Sequence, residues 1–233
     1  MARQLADGVW QLDLGLVPPL AANAFLVDDG SVTLCDTGLG WNRPSLSAEL
    51  SAAGYAPADL DRVLLTHYDL DHVGGLDTLD GFDGPVYLGR PDHELATGAG
   101  DPPLIHHKGL FHRIARCVTS FPAGIDLRPV DDGDRVGNFT AFLTPGHNPG
   151  HTVYVHDDGV ALLGDLVWEE DGRLTAPFWL DSYDMAGLRR SIVSLSDRIP
   201  AFEIAAMGHG EPLVSGGRVA LRELAGEYKT DRE

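Results

Sequence analysis

The residues His67 to His72 include four side chains that commonly bind metals, and they directly follow an apolar run, Val63 to Leu65, that predicts a buried strand. Imidazole nitrogens and carboxylate oxygens are the ligands that borderline and hard divalent cations take. A loop at a strand end can aim several such groups at one point. Gly74 and Gly75 come next, and small residues allow the backbone to pack closely. The stretch therefore predicts a metal-binding loop that other parts of the chain must complete.

Three later motifs also place candidate ligands at the ends of hydrophobic runs. They are Gly146-His147-Asn148-Pro149-Gly150-His151, Gly164-Asp165 and Gly208-His209-Gly210. We interpret the four loops together as one dinuclear metal site. Two divalent ions roughly 3.5–4 Å apart can share a water and lower its pKa toward neutrality, and the resulting hydroxide attacks a carbonyl or phosphoryl centre. Such chemistry needs no serine or cysteine nucleophile, and the sequence contains no GxSxG motif.

Composition narrows the classes of partner. The chain has 233 residues, enough for a single domain with a full core, and 43% of them are hydrophobic. The net charge of −18 argues against binding a nucleic-acid backbone, which needs clustered Lys and Arg. The sequence predicts no membrane span and no secretory signal, so we expect a cytoplasmic protein that acts on a small molecule. It leaves open whether the protein is a monomer or a homodimer.

Periodicity and turn signals predict a strand-rich chain with interspersed helices. The predicted strands cover residues 9–14, 24–27, 32–35, 63–65, 85–88, 126–130, 139–143, 153–156, 160–163 and 203–207, and the helices about 46–53, 72–79, 185–199 and 217–228. Residues 90–124 have poorer periodicity and frequent Gly and Pro, which indicates a partly helical insertion. Two interpretations of it stay open: a surface insertion packed on the body, or a lid over an apolar acyl or lactone group.

The ordered motifs resemble those of the metallo-β-lactamase superfamily, and the resemblance covers nearly the whole chain. They are Asp36-Thr37-Gly38, Thr66-His67-x-Asp69-x-Asp71-His72-x-Gly74-Gly75, Thr144-Pro145-Gly146-His147-x-x-Gly150-His151-Thr152, Leu163-Gly164-Asp165 and Gly208-His209-Gly210. The resemblance implies an α+β fold, the four-layer αββα sandwich of two mixed β-sheets, as one domain over residues 1–233. The metals would lie at one edge, between the sheets.

The resemblance also implies which residues bind metal. The first ion would be held by His67 and His151, the second by Asp71, His72 and His209, and Asp165 would bridge the two. Asp71 would in addition orient the nucleophile, and is the one residue predicted to be catalytic. We choose His151 over His147 because the family ligand is the histidine that precedes the Thr of this motif. His147 would then support the ligands or shape the loop.

One position departs from the family pattern, which has histidine where this chain has Asp69. Two alternatives follow. Asp69 either binds the first ion directly, as the acidic ligand does in flavodiiron oxygen reductases, or points away and leaves that site incomplete. We predict the first and count Asp69 among the ligands. The chain is too short to hold a flavodoxin domain, which argues against the oxygen-reductase role itself.

The predicted function is a hydrolase that uses a metal-bridging hydroxide to open esters, lactones or thioesters, similar to the lactonase and glyoxalase II-like branches. Two divalent ions are expected, with Zn first and Mn or Fe as alternatives. Other functions of the superfamily remain in contention: β-lactam or phosphodiester hydrolysis and iron-dependent persulfide dioxygenation. A member that has kept the fold without catalysis is the competing interpretation.

Overall fold

Two β-sheets pack face to face and carry helices on both outer faces. The computed structural model describes residues 1–15, 22–103, 105–118, 121–122 and 124–230, with the backbone alone at 111 and 114–118. The four-layer αββα sandwich that the resemblance implied is confirmed. Among the described residues, no helix is long and apolar enough to cross a membrane.

The first sheet has seven strands that lie in the order of the sequence. They are β1 (Arg3–Ala6), β2 (Val9–Leu14), β3 (Ala22–Asp28), β4 (Val32–Cys35), β5 (Arg62–Leu65), β6 (Val86–Gly89) and β7 (Leu127–Val130). The pairs up to β4 are antiparallel, and those from β4 onward are parallel. Because parallel strands end at the same edge, the loops after β4 and β5 open side by side.

The second sheet has five strands in the order β14-β11-β10-β9-β8. Their bounds are β8 (Arg135–Val136), β9 (Phe139–Leu143), β10 (Thr152–His156), β11 (Val160–Gly164) and β14 (Ile204–Met207). β11 and β14 are parallel, so the loops that follow them also share an edge. A separate hairpin of β12 (Trp168–Glu170) and β13 (Arg173–Thr175) follows β11.

The α-helices of the described residues are α1 (Leu46–Ala53), α2 (Leu70–Val73), α3 (Arg90–Thr97), α4 (His107–Val118), α5 (Met185–Arg198) and α6 (Gly217–Thr230). The predicted helix over residues 72–79 is wrong, because α2 ends at Val73 and only a 3₁₀ turn follows at Leu76–Thr78. The break lies where Gly75 passes the Thr37 carbonyl so closely that a Cβ would come within 2.1 Å of its oxygen. Gly75 donates its N–H to the Gly38 carbonyl instead of continuing the helix.

Three apolar clusters separate the four layers. Phe25 and Leu64 of the first sheet pack with Phe139 and Leu162 of the second between the sheets. The outer face of the first sheet packs on α1 through Leu50, and that of the second on α5 and α6 through side chains such as Leu188 and Leu221. This packing places the edges of the two sheets that carry the site loops next to each other.

The segment predicted as an insertion, residues 90–124, forms α3 and α4. Positions 104, 119–120 and 123 lie outside the described residues. Its role as a lid stays a prediction. Through Lys108 and Asp92 it contacts Asp69 and the Tyr68 amide in the loop that follows β5.

Candidate metal centre

Strand ends of both sheets bring most of the predicted ligands to one place. The loop after β5 and the short helix α2 carry His67, Asp71 and His72, and Asp165 and His209 follow β11 and β14. The Nε2 atom of His72 lies 3.7 Å from Asp165 Oδ1 and 3.8 Å from Asp71 Oδ2. The Nε2 atom of His209 lies 3.4 Å from Asp71 Oδ2 and 3.2 Å from Asp165 Oδ2. These spacings suit ligands of one ion, each about 2.0–2.2 Å from it.

Two buried atoms that face this point have no partner in the described part of the protein and are available to bind a cation. Within the described part of the chain, His72 Nε2 and Asp165 Oδ1 have no hydrogen-bond partner, although both are buried. Leaving such atoms unsatisfied costs about 1–3 kcal/mol each, so native proteins usually pair them. Gly208 keeps the space open, because a Cβ there would come within 2.2 Å of Asp165 Oδ1. The residues present therefore fit a divalent ion.

The other nitrogen of His72 fixes its orientation. Nδ1 lies 2.8 Å from Asp36 Oδ2, and since a carboxylate can only accept, Nδ1 carries the proton and donates. In the neutral ring, Nε2 is then unprotonated, and its lone pair faces Asp71 and Asp165. Carboxylate-to-histidine contacts of this kind orient metal ligands in proteins. Asp36 itself receives hydrogen bonds from the Thr66 amide and hydroxyl, each 2.8 Å long.

The electrostatics of the cluster favour a cation. Burial opposes protonation, yet Asp36, Asp71 and Asp165 raise the pKa of His72 to about 10. Burial likewise opposes it for His209, whose pKa Asp165 and Asp71 raise to about 11. A metal ion must displace these protons, so its binding is pH-dependent.

A second group lies beside the first and contains His67, Asp69 and His147. The Nε2 atoms of His67 and His147 are 3.2 Å apart, and Asp69 Oδ2 lies 3.2 Å from the latter. Asp69 therefore points into the centre rather than away from it. Burial opposes its ionisation, but Lys108 and His67 hold the pKa of Asp69 well below its usual range.

His151, predicted as a ligand of the first ion, does not face this group. Its Nδ1 lies 2.8 Å from Thr144 Oγ1, and the backbone N–H of Asp165 donates to its Nε2 over 3.1 Å. Both ring nitrogens are thus engaged within the protein. His147 occupies the position that the prediction gave to His151, so the choice between the two histidines is corrected by the geometry.

Four residues of the centre were missed as site residues by the sequence reasoning. Lys108 and His112 of α4 contact Asp69, Asn148 donates to Asp69 Oδ1 over 2.8 Å, and Asp92 of α3 accepts from the Tyr68 and Gly150 amides. A signal existed for two of them. Lys108 is one of only two lysines in the sequence, and His112 follows it after one helical turn.

The chain has relatives among known proteins. Residues 17–209 match the sequence profile of the metallo-β-lactamase superfamily. The chain belongs to this superfamily. It is 30% identical over 172 residues to a probable metallo-hydrolase of Bacillus subtilis, YybB, and the match covers 70% of this chain and 71% of that protein.

Solved structures agree with this assignment. The superfamily protein TTHA1429 from Thermus thermophilus has a TM-score of 0.69 at 24% identity, covering 97% of this chain and 81% of that one. TTHA1623, solved in a di-iron-bound form, has a TM-score of 0.64 at 29% identity and covers 90% of this chain and 96% of that one. Together with the clusters of His and Asp, the relationship to YybB supports a metal-dependent enzyme.

Proposed function

We propose that this protein is a metal-dependent hydrolase of small esters, lactones or thioesters, with a divalent ion held by Asp71, His72, Asp165 and His209. The observation that carries the proposal is the close approach of these four side chains, with His72 Nε2 and Asp165 Oδ1 buried and without a hydrogen-bond partner in the described part of the protein. A bound Zn²⁺ would polarise the substrate carbonyl and make a water nucleophilic near neutral pH. The dinuclear form that the resemblance implied would require a second ion at His67, Asp69 and His147.

Within this proposal Asp71 orients the attacking water and receives its proton. Its carboxylate is the more exposed of the two in the cluster, at 24% of the side chain against 2% for Asp165. Burial opposes ionisation, but His72 and His209 lower the pKa of Asp71, so the group is an acceptor at neutral pH. An accessible, ionised carboxylate within reach of the ion is suited to this task.

A neighbouring cavity supports a small, partly apolar substrate. It has a volume of about 290 Å³, near the lower end for ligand pockets. Its lining includes Trp41, Tyr68, Leu70, Val73 and Phe121. Tyr68 and Leu70 are the sequence neighbours of Asp69 in the loop that follows β5, although no candidate ligand itself lines the cavity. Such walls suit a short acyl chain or a lactone ring better than a large polar substrate.

The proposal is tested with metal-loaded protein and a panel of substrates. The panel contains short- and long-chain aryl esters, γ- and δ-lactones, acyl thioesters, a bis-aryl phosphodiester and a cephalosporin. We expect turnover of short acyl substrates or lactones, loss of turnover after chelation, and recovery when Zn²⁺ is restored. His209→Ala should bind no ion and show no turnover, and Lys229→Ala, at an exposed position on α6, should behave as wild type. Inactivity towards every ester, lactone and thioester would contradict the proposal.

A second candidate function rests on the ligand types. Asp71, His72 and His209 form a group of two imidazoles and one carboxylate. Two histidines with one carboxylate and open positions are typical of non-haem iron(II) oxygenases. A persulfide dioxygenase would be recognised by oxygen uptake with glutathione persulfide in iron-loaded protein, and by its absence with zinc.

A further inference from the structure

A lysine side chain lies in the second group of the centre. Lys108, near the start of α4, is 4% exposed, although lysine is rarely buried without a partner. Its Nζ lies 2.7 Å from Asp69 Oδ2, 2.9 Å from His147 Nε2 and 2.7 Å from the Asp181 carbonyl oxygen. An ammonium group has three N–H bonds, and here each has one acceptor.

Two of these acceptors are the atoms that would hold a metal ion. Asp69 and His147, with His67, form the group that a first ion would need. An ion that used Asp69 Oδ2 and His147 Nε2 would compete with Lys108 Nζ for both atoms. A divalent cation and an ammonium group that share two buried acceptors repel each other strongly. Only one of the two cations can use these ligands.

The proton positions on His67 and His147 are compatible with the Lys108 ammonium group as the cation between them and Asp69. Thr66 has one hydroxyl proton and donates it to Asp36, so His67 Nδ1 must donate to Thr66 Oγ1 over 2.9 Å. His67 Nε2 is then a lone pair, like the His147 Nε2 that accepts from Lys108. The group thus offers three acceptors, His67 Nε2, His147 Nε2 and Asp69 Oδ2, and Lys108 donates to the last two.

Asp69 is also engaged on its other oxygen. Oδ1 lies 2.7 Å from His112 Nε2 and 2.8 Å from Asn148 Nδ2, which are both donors to it. Lys108 and His112 are one helical turn apart on α4, so a single helix face supplies two of the three donors. An imidazole, the usual group at this position, could not accept all three hydrogen bonds. The departure at Asp69 and the buried lysine therefore fit each other.

We propose that the Lys108 ammonium takes the place of one of the two metal ions, so that the protein binds a single ion, at Asp71, His72, Asp165 and His209. One divalent ion and Lys108 together would supply three positive charges beside the three carboxylates at their sites, those of Asp69, Asp71 and Asp165, while Asp36 and Asp92 lie one contact further out. This inference rests on the metal site of the proposed function but not on its reaction.

The test is the number of ions that the folded protein retains. Wild-type protein saturated with Zn²⁺ and desalted should contain one zinc per chain by mass spectrometry of the metal, and titration with Zn²⁺ should show one equivalent. Lys108→Ala removes the ammonium and opens its space, so its content should rise to two. Lys108→Arg, which keeps the charge, should stay at one. The matched control is Lys229→Ala, which removes the other lysine of the chain and should also stay at one.

Further variants locate the ion. His209→Ala should retain none, and His67→Ala should still retain one. Wild-type protein that retains two ions would overturn the inference, and so would a folded Lys108→Ala variant that retains one. Should Lys108→Ala fail to fold, the wild-type count and Lys108→Met, which keeps the length of the side chain, decide in the same way. A protein with one ion and no hydrolysis would reject the proposed function alone.

Discussion

At the scale of single residues, the centre depends on groups that touch no substrate. Asp36 is such a group: it is buried at a positive φ of 58° and accepts three hydrogen bonds, one of them from His72 Nδ1. Asn tolerates this backbone conformation, so Asp36→Asn changes little except the acceptors. An amide offers one oxygen where two are needed, and its NH₂ would then face a donor.

We therefore expect Asp36→Asn to weaken Zn²⁺ binding by about 10–100-fold, as found when such supporting carboxylates are removed elsewhere. A competition titration against a chromogenic chelator measures this. Asp158→Asn is the matched control, because Asp158 also lies near a histidine, 3.7 Å from His156 Nδ1, but is 85% exposed. Equal affinities of Asp36→Asn and wild type would show that His72 needs no orienting partner.

The limits of sequence reasoning at this scale are set by hydrogen bonding. His67, Asp71 and Asp165 could be chosen because each follows an apolar run. The place before Thr152 favoured His151 over His147, and only the folded contacts show that Asp165 donates to the His151 ring. Lys108 is notable in the sequence only as one of two lysines, because its acceptors lie 39 residues before it and 39 and 73 residues after it.

At the scale of elements, the ten predicted strands were found because alternation and apolar runs mark strands that are buried on one face or both. The strands that the sequence did not predict are β1, β8, β12 and β13. They are two to four residues long, and neither β1 nor β12 has a buried residue, so they carry no such pattern. The helix predicted over residues 72–79 failed because a close approach to Thr37 outweighed its apolar spacing.

The helix α3 fastens two loops of the centre through one side chain. Asp92 is fully buried, and its carboxylate accepts from the Tyr68 amide over 2.8 Å, the Gly150 amide over 2.6 Å and Asn148 Nδ2 over 3.2 Å. Asp92→Ala leaves two backbone donors buried without partners, at about 1–3 kcal/mol each. We expect it to lower the free energy of unfolding by about 2–5 kcal/mol in urea denaturation, and Asp92→Asn by less. Asp80→Ala, at an exposed position, should be neutral. A comparable loss in Asp80→Ala would contradict this role of α3.

At the scale of the whole molecule, the two sheets are joined at both ends of their strands. The metal centre joins them where β4, β5, β11 and β14 end. In the turn between β3 and β4, Asp29 accepts from His156 Nε2 over 2.8 Å and from Asn138 Nδ2 over 2.7 Å, and these two residues lie in β10 and in the turn between β8 and β9. Asp29, His156 and Asn138 therefore form a polar clamp at the end of the sandwich opposite the candidate metal centre.

The clamp should make the stability of the sandwich depend on pH. Burial opposes the ionisation of Asp29, but the hydrogen bonds from His156 and Asn138 lower its pKa. A carboxyl group whose pKa is lower in the folded state contributes stability above its unfolded pKa of about 3.9, and this is lost as the pH falls through the folded value.

Asp29→Asn should thus be less stable than wild type by about 1–2 kcal/mol at pH 7, the range for a hydrogen bond to a charged group at a partly exposed site. The difference should be smaller at a pH below the unfolded value of about 3.9. Urea denaturation of metal-free protein at both pH values measures it, since without metal the acid release of an ion cannot contribute. Asp83→Asn, at an exposed position, is the control. A difference that stays constant between the two pH values would mean that Asp29 acts through packing and not through its charge.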